Sequence, residues 1–413
     1  VIALGTVGCA SFSPRPIEEV PFRERAKVEE AGDLRVTAAV PTLAEAEALY
    51  GVDLASKHMQ PVWVEVANGS DETYWLPGSG LDAHYFLPTE AAFAFHGGRG
   101  RRVEAMDAHF QALGFENPIL PGETVSGFVL VNLDEGYKAV DVDLIAREDA
   151  RSFTFVFVDP DFKADFTRVD LERIWSDDEI VAIEEEEELR VALAELPVCT
   201  TNRGGDAEGD PLNLVMVGDR REIFAAIVRR GWHATEFVSS RSVWRTIKSF
   251  LSGTRYRYSP ISPLYVYGRP QDFSAQKARG TINERNHMRF WQTPLRFRGQ
   301  EVWIGQISRD IGVKFTFKSP TISTHKIDPD VDEARRYLLE DLIYSQAVHT
   351  VGFVRGVGRV APTDPRYNLV GDPYFTDGLR CVMFFGPRPN DLADIHLLDW
   401  DRHARVTSTE GVE

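Results

Sequence analysis

The sequence predicts an α+β protein, an immunoglobulin-like β-sandwich followed by a mixed α/β domain with a mainly antiparallel sheet. Three observations carry the prediction. Residues 34–159 hold short alternating segments such as QPVWVEVANGSD, broken by Gly, Pro and Asn-Gly turns, as half-buried strands of a sandwich are. Residues 212–231 read as a buried strand, a Gly-Asp turn and an amphipathic helix closed by Gly231, a βα unit. Between these regions, CTTNRGGDAEGDP at 199–211 has the composition of a linker.

The elements follow in chain order. VIALGTVGCA looks like the end of a bacterial lipoprotein signal, with Cys9 as the lipid-bearing residue. Thr6 stands where such signals prefer Leu, and no basic region precedes it. Ala10, rather than Asp, favours the outer membrane by analogy with lipoprotein sorting. The expectation is a protein anchored on the periplasmic side of the envelope. Residues 1–33 then form the signal remnant and a Pro/Glu-rich tether, and 34–164 the sandwich, with helical turns at Leu43–Leu49 and Pro88–His96. His58, His84, His96 and His109 are scattered and read as surface or packing residues. Residues 165–209 form an acidic helical linker, whose five consecutive Glu suit a helix amino terminus.

The second domain spans 210–350. After its βα unit come a helix at SSRSVWRTIKSFLSG, a loop with a short helix at GRPQDFSAQKA, and the strands SPLYVYG, NHMRFWQTPLRF and EVWIGQISRDIGVKFTF. A last helix starts at Asp328-Pro329, with Asp as N-cap and Pro in the first turn. Residues 351–413 read as an irregular extension with one clear strand, RCVMFFG.

Charge is segregated along the chain. The net charge is −17, yet residues 211–360 carry 24 Lys+Arg against 13 Asp+Glu, a local +11. A basic domain favours anionic ligands such as phosphates. No nucleic-acid signature is present, and the acidic remainder opposes such a partner. No apolar run approaches the ~18 residues of a spanning helix. Cys9, Cys199 and Cys381 lack metal-ligand spacing. A Cys199–Cys381 bridge and two separate thiols both remain open.

Four blocks, PLNLVMVGDRREIFAAIVRRGWH, SPLYVYGRPQDFSAQKA, NERNHMRFWQTPL and THKIDPDVDEARRYLLEDL, together resemble the LssY-like C-terminal domain family over about 210–350. The resemblance implies a bacterial envelope setting, with fusions to lipid-phosphatase membrane modules among relatives, and no particular reaction. Asn286 stands where relatives often carry a second His, which weakens a two-histidine metal motif.

The chemistry therefore rests on individual residues. Alternation puts His287, Arg289 and Trp291 on one strand face, and Gln306 and Ser308 on one face of the next. Arg269, Asp272, Lys277, Arg289 and Lys326 are the candidates for holding an anionic group. His287 and His325 are the candidate acid/base pair, with Asp328 as orienting partner. Helix capping accounts equally well for the Asp residues, but not for His325. No GxSxG, HExxH, calcium-loop or P-loop motif is present, and the sequence leaves cofactor and metal unknown. Two functions stay in play. One is a binding lipoprotein for an anionic lipid or glycan; the other is an envelope hydrolase acting on a phosphoester.

Overall fold

Strand alternation near the amino terminus serves two cores at once. The computed structural model describes residues 12–97, 100–134, 136–158, 169–235, 261–278, 285–315 and 323–401, with backbone alone for 278, 313–315 and 323–325. Two units divide the chain, Val1–Asp161 and Phe162–Glu413. In the first, β1 (Lys27–Ala31), β2 (Leu34–Ala39), β3 (Met59–Asn68) and β4 (Thr124–Asn132) form an antiparallel sheet in that order. Val62, Val64 and Val66 enter one core, which the hairpin β5 (Tyr137–Ile145) and β6 (Ala150–Val158) closes through Val140, Val142, Phe153 and Phe155. Trp63, Phe128 and Leu130 enter the other, closed by α1 (Leu43–Tyr50) and α2 (Arg101–Leu113).

The face that an immunoglobulin sandwich leaves to water is thus covered by helices. Among the described residues the unit is a four-stranded antiparallel sheet plus an antiparallel hairpin. Both expected helical turns appear, as α1 and as a helix at Pro88–Phe93. The α1 start is a reciprocal box: Glu45 N–H donates to Thr42 Oγ1 at 3.3 Å, and Thr42 N–H to Glu45 Oε2 at 2.8 Å.

The second unit is built on one mixed sheet. Its elements begin with β7 (Val181–Ile183), α3 (Glu186–Ala194), β8 (Cys199–Thr201), β9 (Glu208–Pro211), β10 (Leu214–Gly218) and α4 (Arg220–Arg229). There follow β11 (His233–Ala234), β12 (Tyr265–Val266), β13 (Arg269–Pro270), β14 (Phe273–Ala278), β15 (Arg285–Phe297), β16 (Gln300–Phe315) and β17 (Ser323–Ile327). The chain ends with α5 (Val331–Ile343), β18 (Val348–Arg355), β19 (Arg366–Tyr367), β20 (Pro373–Tyr374), β21 (Leu379–Phe385) and β22 (His396–Leu397). The sheet order is β11-β14-β15-β16-β10-β21-β18-β22, with β7 added to β15 and β17 to β16. Most pairings are antiparallel; β10 with β21 is parallel.

Three sequence expectations change here. The stretch read as an extension supplies β21, next to the central β10, and most of β18 beside it, because the run CVMFF is apolar on both faces. GRPQDFSAQKA is the strand β14 rather than a short helix, since Phe273 and Ala275 alternate with Ser274 and Gln276. The last helix begins two residues later than its Asp-Pro signal: Asp330 is the N-cap and accepts from Asp332 N–H at 3.1 Å. Asp328 N–H is bound to Arg309 O at 2.8 Å, which holds that residue in the extended run leaving β17. The expected helix at 239–253 lies outside the described residues. Cys199 and Cys381 are both free thiols.

Both faces of this sheet are covered. Val215, Val217, Val302, Ile304, Val382 and Phe384 face Leu189 and Leu193 of α3. On the other face Phe224 of α4 stacks on Phe273 with centroids 4.4 Å apart. Gly305 lies opposite Phe290, whose ring occupies the space a Cβ would need. Among the described residues, no helix is long and apolar enough to cross a membrane.

Candidate functional site

The sheet face that packs on α3 is apolar at one end and polar at the other. Three rungs across β14, β15 and β16 form the polar end. Ser274, Arg289 and Gln306 make one rung, and Gln276, His287 and Ser308 the next. Ala278 stands beside Arg285 in the third, and Asp310 extends the β16 column. Residues two apart on a strand share a face, so the seven polar members apart from Ala278 and Asp310 belong to one surface by register. Asp310 joins them through its contact with Arg285. All eight polar side chains are buried, none more than 8% exposed.

Their hydrogen bonds run in one direction. Arg289 has donors only, and its Nη1 donates to Gln306 Oε1 at 3.0 Å. The Gln306 amide therefore turns Nε2 towards Ser308 and donates to its Oγ. Ser308, having accepted there, has its hydroxyl hydrogen for His287 Nε2, 3.3 Å away. With Nε2 as acceptor, the neutral imidazole carries its proton on Nδ1, which faces Asp310 Oδ1 at 3.5 Å. Arg285 Nε holds the other carboxylate oxygen at 3.0 Å, and Arg285 Nη1 donates to Gln276. Arg289 Nη2 also donates to Ser262 O at 3.0 Å.

Burial dominates the electrostatics. It pushes the Asp310 carboxyl up to about 6, against the opposing pull of Arg285 and Arg289. Asp210 is raised by burial too, although Asn368 donates to it at 3.0 Å and Arg289 opposes the shift. Two carboxylates and two guanidinium groups thus influence one another around His287 and Ser308.

Other predicted residues are engaged elsewhere. Arg269 donates to both oxygens of Asp272 at 3.0 Å and to Gln292 O at 2.7 Å, and lies over the Trp175 and Tyr267 rings. Asp272 in turn accepts from Gln292 N–H at 2.8 Å. This pair fastens the turn before β14 to β15. Lys277, one position beyond Gln276, falls on the opposite face and donates to Asp341 at 2.9 Å; Asp341 also accepts from Arg230 and from Trp232 Nε1. Asp328 accepts from Asp330 N–H at 3.1 Å and sits 3.9 Å from Arg309. Lys326 is exposed opposite Gly312.

The two histidines are not neighbours. His287 pairs with Ser308 and the backbone of His325 with Val313. At about 3.3 Å per residue, those partners are roughly 16 Å apart along β16. The His325 side chain and Cys9 lie outside the described residues. The sequence pattern does not single out Asp310 or Arg285, and it places Gln276 only on the expected loop and short helix. The i, i+2 spacing of Gln306, Ser308 and Asp310 was the available signal; the cross-strand register was not. Among the described residues, no group of three or more His, Cys, Asp or Glu is placed to hold a metal ion.

Fold and site define the class: an α+β domain whose mainly antiparallel sheet carries a buried Arg/His/Ser/Asp face at one end. Residues 193–379, just under half of the chain, match the family model of the LssY C-terminus. The second unit therefore carries an LssY-like C-terminal domain, which includes every member of the polar face. Comparisons with curated proteins and with solved structures gave no match.

Proposed function

We propose that the LssY-like domain binds a phosphate-bearing ligand on the polar face of β15, in a bacterial lipoprotein of the cell envelope. The observation that carries this reading is the placement of Arg285 and Arg289 on either side of His287, on one buried face. Guanidinium groups match phosphate oxygens in a fixed fork, and contacts with ionic groups strengthen as water is excluded. The local excess of Lys and Arg over residues 211–360 favours approach of an anion. The envelope setting rests on the VIALGTVGCA sequence, with Cys9 as the lipidated residue. The finer description of the first unit as an immunoglobulin-like spacer belongs to this reading as well.

The test is titration of the full chain with inorganic phosphate and with glycerol phosphate, followed by calorimetry. Arg289→Gln should weaken binding about tenfold or more, the loss expected for one charge-assisted hydrogen bond. Equal affinity in Arg289→Gln, or no binding by the wild type, counts against the site. For the anchor, mass spectrometry of protein extracted from membranes should find acyl chains on Cys9, and an unmodified thiol removes the lipoprotein assignment.

The hydrolase reading has its own observation, the Ser308–His287 contact. The partner that the sequence suggests for His287, His325, has its backbone paired with Val313, whereas His287 is opposite Ser308.

A further inference from the structure

We propose that Ser308 is the nucleophile of a phosphoester hydrolase at this face, with His287 as its general base and Asp310 as the positioning residue for the imidazole. The proposal deepens the anion-binding reading and rests on it. Its basis is the order of contacts. A serine activated by histidine needs its hydroxyl on one ring nitrogen and an orienting group on the other. Here Ser308 Oγ meets Nε2 at 3.3 Å and Asp310 Oδ1 faces Nδ1 at 3.5 Å. Distances of this kind tighten when substrate binds. The rest of the face agrees with the assignment. Gln306 donates to Ser308 Oγ, which directs the hydroxyl hydrogen towards the imidazole. Arg289 stands one rung from Ser308, and Arg285 lies on the other side of His287. Those positions flank a phosphoryl group carried on Oγ.

The chemistry balances without a further reagent. Ser308 Oγ forms a bond to phosphorus while its proton passes to His287 Nε2. The bond from phosphorus to the ester oxygen breaks, and the leaving alcohol takes that proton. Water then gives a proton to Nε2 as its oxygen bonds to phosphorus, the Oγ–P bond breaks, and Oγ recovers the proton. The products are an alcohol and phosphate. The two guanidinium groups stabilise the charge on the phosphoryl oxygens during both steps.

An organophosphorus fluoridate, diisopropyl fluorophosphate, tests this on the full chain. Intact mass and peptide mapping should find one diisopropylphosphoryl group on Ser308, with none in Ser308→Ala. His287→Gln should slow labelling about a hundredfold, the usual weight of a general base. Asp310→Asn should lower the maximal labelling rate without changing the half-saturating probe concentration, and Asp310→Glu should restore part of it. A merely structural Asp310 would not divide the two constants in that way. Circular dichroism of each variant checks that it folds; should Ser308→Ala unfold, mapping of the wild-type adduct decides alone. Wild-type protein that binds inorganic phosphate but gives no Ser308 adduct overturns the nucleophile and leaves the anion site standing. Failure of both phosphate binding and labelling removes both, and an adduct on another residue also overturns the assignment.

Discussion

Arg289 Nη1 donates to Gln306 Oε1 at 3.0 Å, and this contact decides which end of the Gln306 carboxamide meets Ser308. A carboxamide has one donor end and one acceptor end. Once Oε1 is committed to a guanidinium, Nε2 is what reaches Ser308 Oγ. With the Ser308 hydroxyl then donating to Nε2, the neutral His287 imidazole carries its proton on Nδ1, on the side of Asp310. Nitrogen-15 spectra of the neutral imidazole should therefore show a protonated Nδ1 and an accepting Nε2. Gln306→Glu removes the donor, so the Ser308 hydroxyl turns to the new carboxylate and the Nδ1–H tautomer loses its support. Identical imidazole spectra for wild type and Gln306→Glu would show that the chain of hydrogen bonds does not run as described.

Asp310 gives the fold a pH dependence whose sign is fixed. Its carboxyl lies at about 6 in the folded protein, against about 3.9 for an Asp in an unfolded chain. Between those values the folded state binds more protons than the unfolded state, so stability falls as pH rises through that window. The contribution is fully present below about pH 4 and lost above about pH 6, on the order of 3 kcal/mol at most. Asp310→Asn lacks the titrating group. Urea denaturation of both proteins from pH 4 to 7 should give stabilities whose difference changes across the window. Parallel curves would mean that Arg285 holds the carboxyl near its ordinary value.

Arg269 is where residue type and structural role part company. It was a natural anion-binding candidate, yet its fork is closed on Asp272, which has no exposed side-chain surface. Removing the guanidinium leaves a buried carboxylate unpaired, a cost of about 3–5 kcal/mol. Arg269→Ala should accordingly lower the urea midpoint clearly while the folded fraction keeps its affinity for inorganic phosphate. A phosphate affinity that falls as far as in Arg289→Gln would restore Arg269 to the binding site.

What was legible in the sequence was local, and what was not depended on register. The βα unit was readable because Leu214–Gly218 is wholly apolar and Asp219 caps the helix after it, accepting from Arg221 N–H at 2.7 Å. His287 and Arg289 share a face because alternation within one strand requires it. Ser308 was visible as a neighbour of Gln306, but its partner was not. Opposing His287 to Ser308 depends on where the β15–β16 turn falls, and a shift of one residue would send the partner to the other face. Asp328 misled for a related reason. The Asp-Pro signal for a helix start is sound locally, and backbone pairing with Arg309 overrides it. In the first unit, sheet alternation was readable, while the helical cover came from α2, whose sparse apolar positions, such as Met106 and Phe110, gave a weak signal.

Arg380 ties the carboxyl end of α3 to the sheet, and its loss should be felt throughout the second unit. The side chain is fully buried on β21, and its donors go to backbone carbonyls: Leu212 at 3.1 Å, Leu196 and Pro197 at 2.7 Å, Gly356 at 3.0 Å, and Leu193. Carbonyls at the end of a helix have no partners within it, so this guanidinium does the work of a C-cap from a distance. Burial lowers its own affinity for a proton, to about 10, which still leaves it charged at neutral pH. Close approach is part of the arrangement: a Cβ on Gly356 would come within 2.8 Å of Arg380 Nη1 and 2.9 Å of Ala194 O. Arg380→Met keeps much of the volume and removes every donor, leaving several buried carbonyls unsatisfied at about 1–3 kcal/mol for each group. Arg380→Lys keeps the charge, but a single ammonium cannot span carbonyls arranged around a planar fork. Both variants should lower the urea midpoint followed by fluorescence of the buried Trp291 and Trp303, Arg380→Met by more. A loss under about 1 kcal/mol for Arg380→Met would show that these carbonyls find other donors, and that the tie is dispensable.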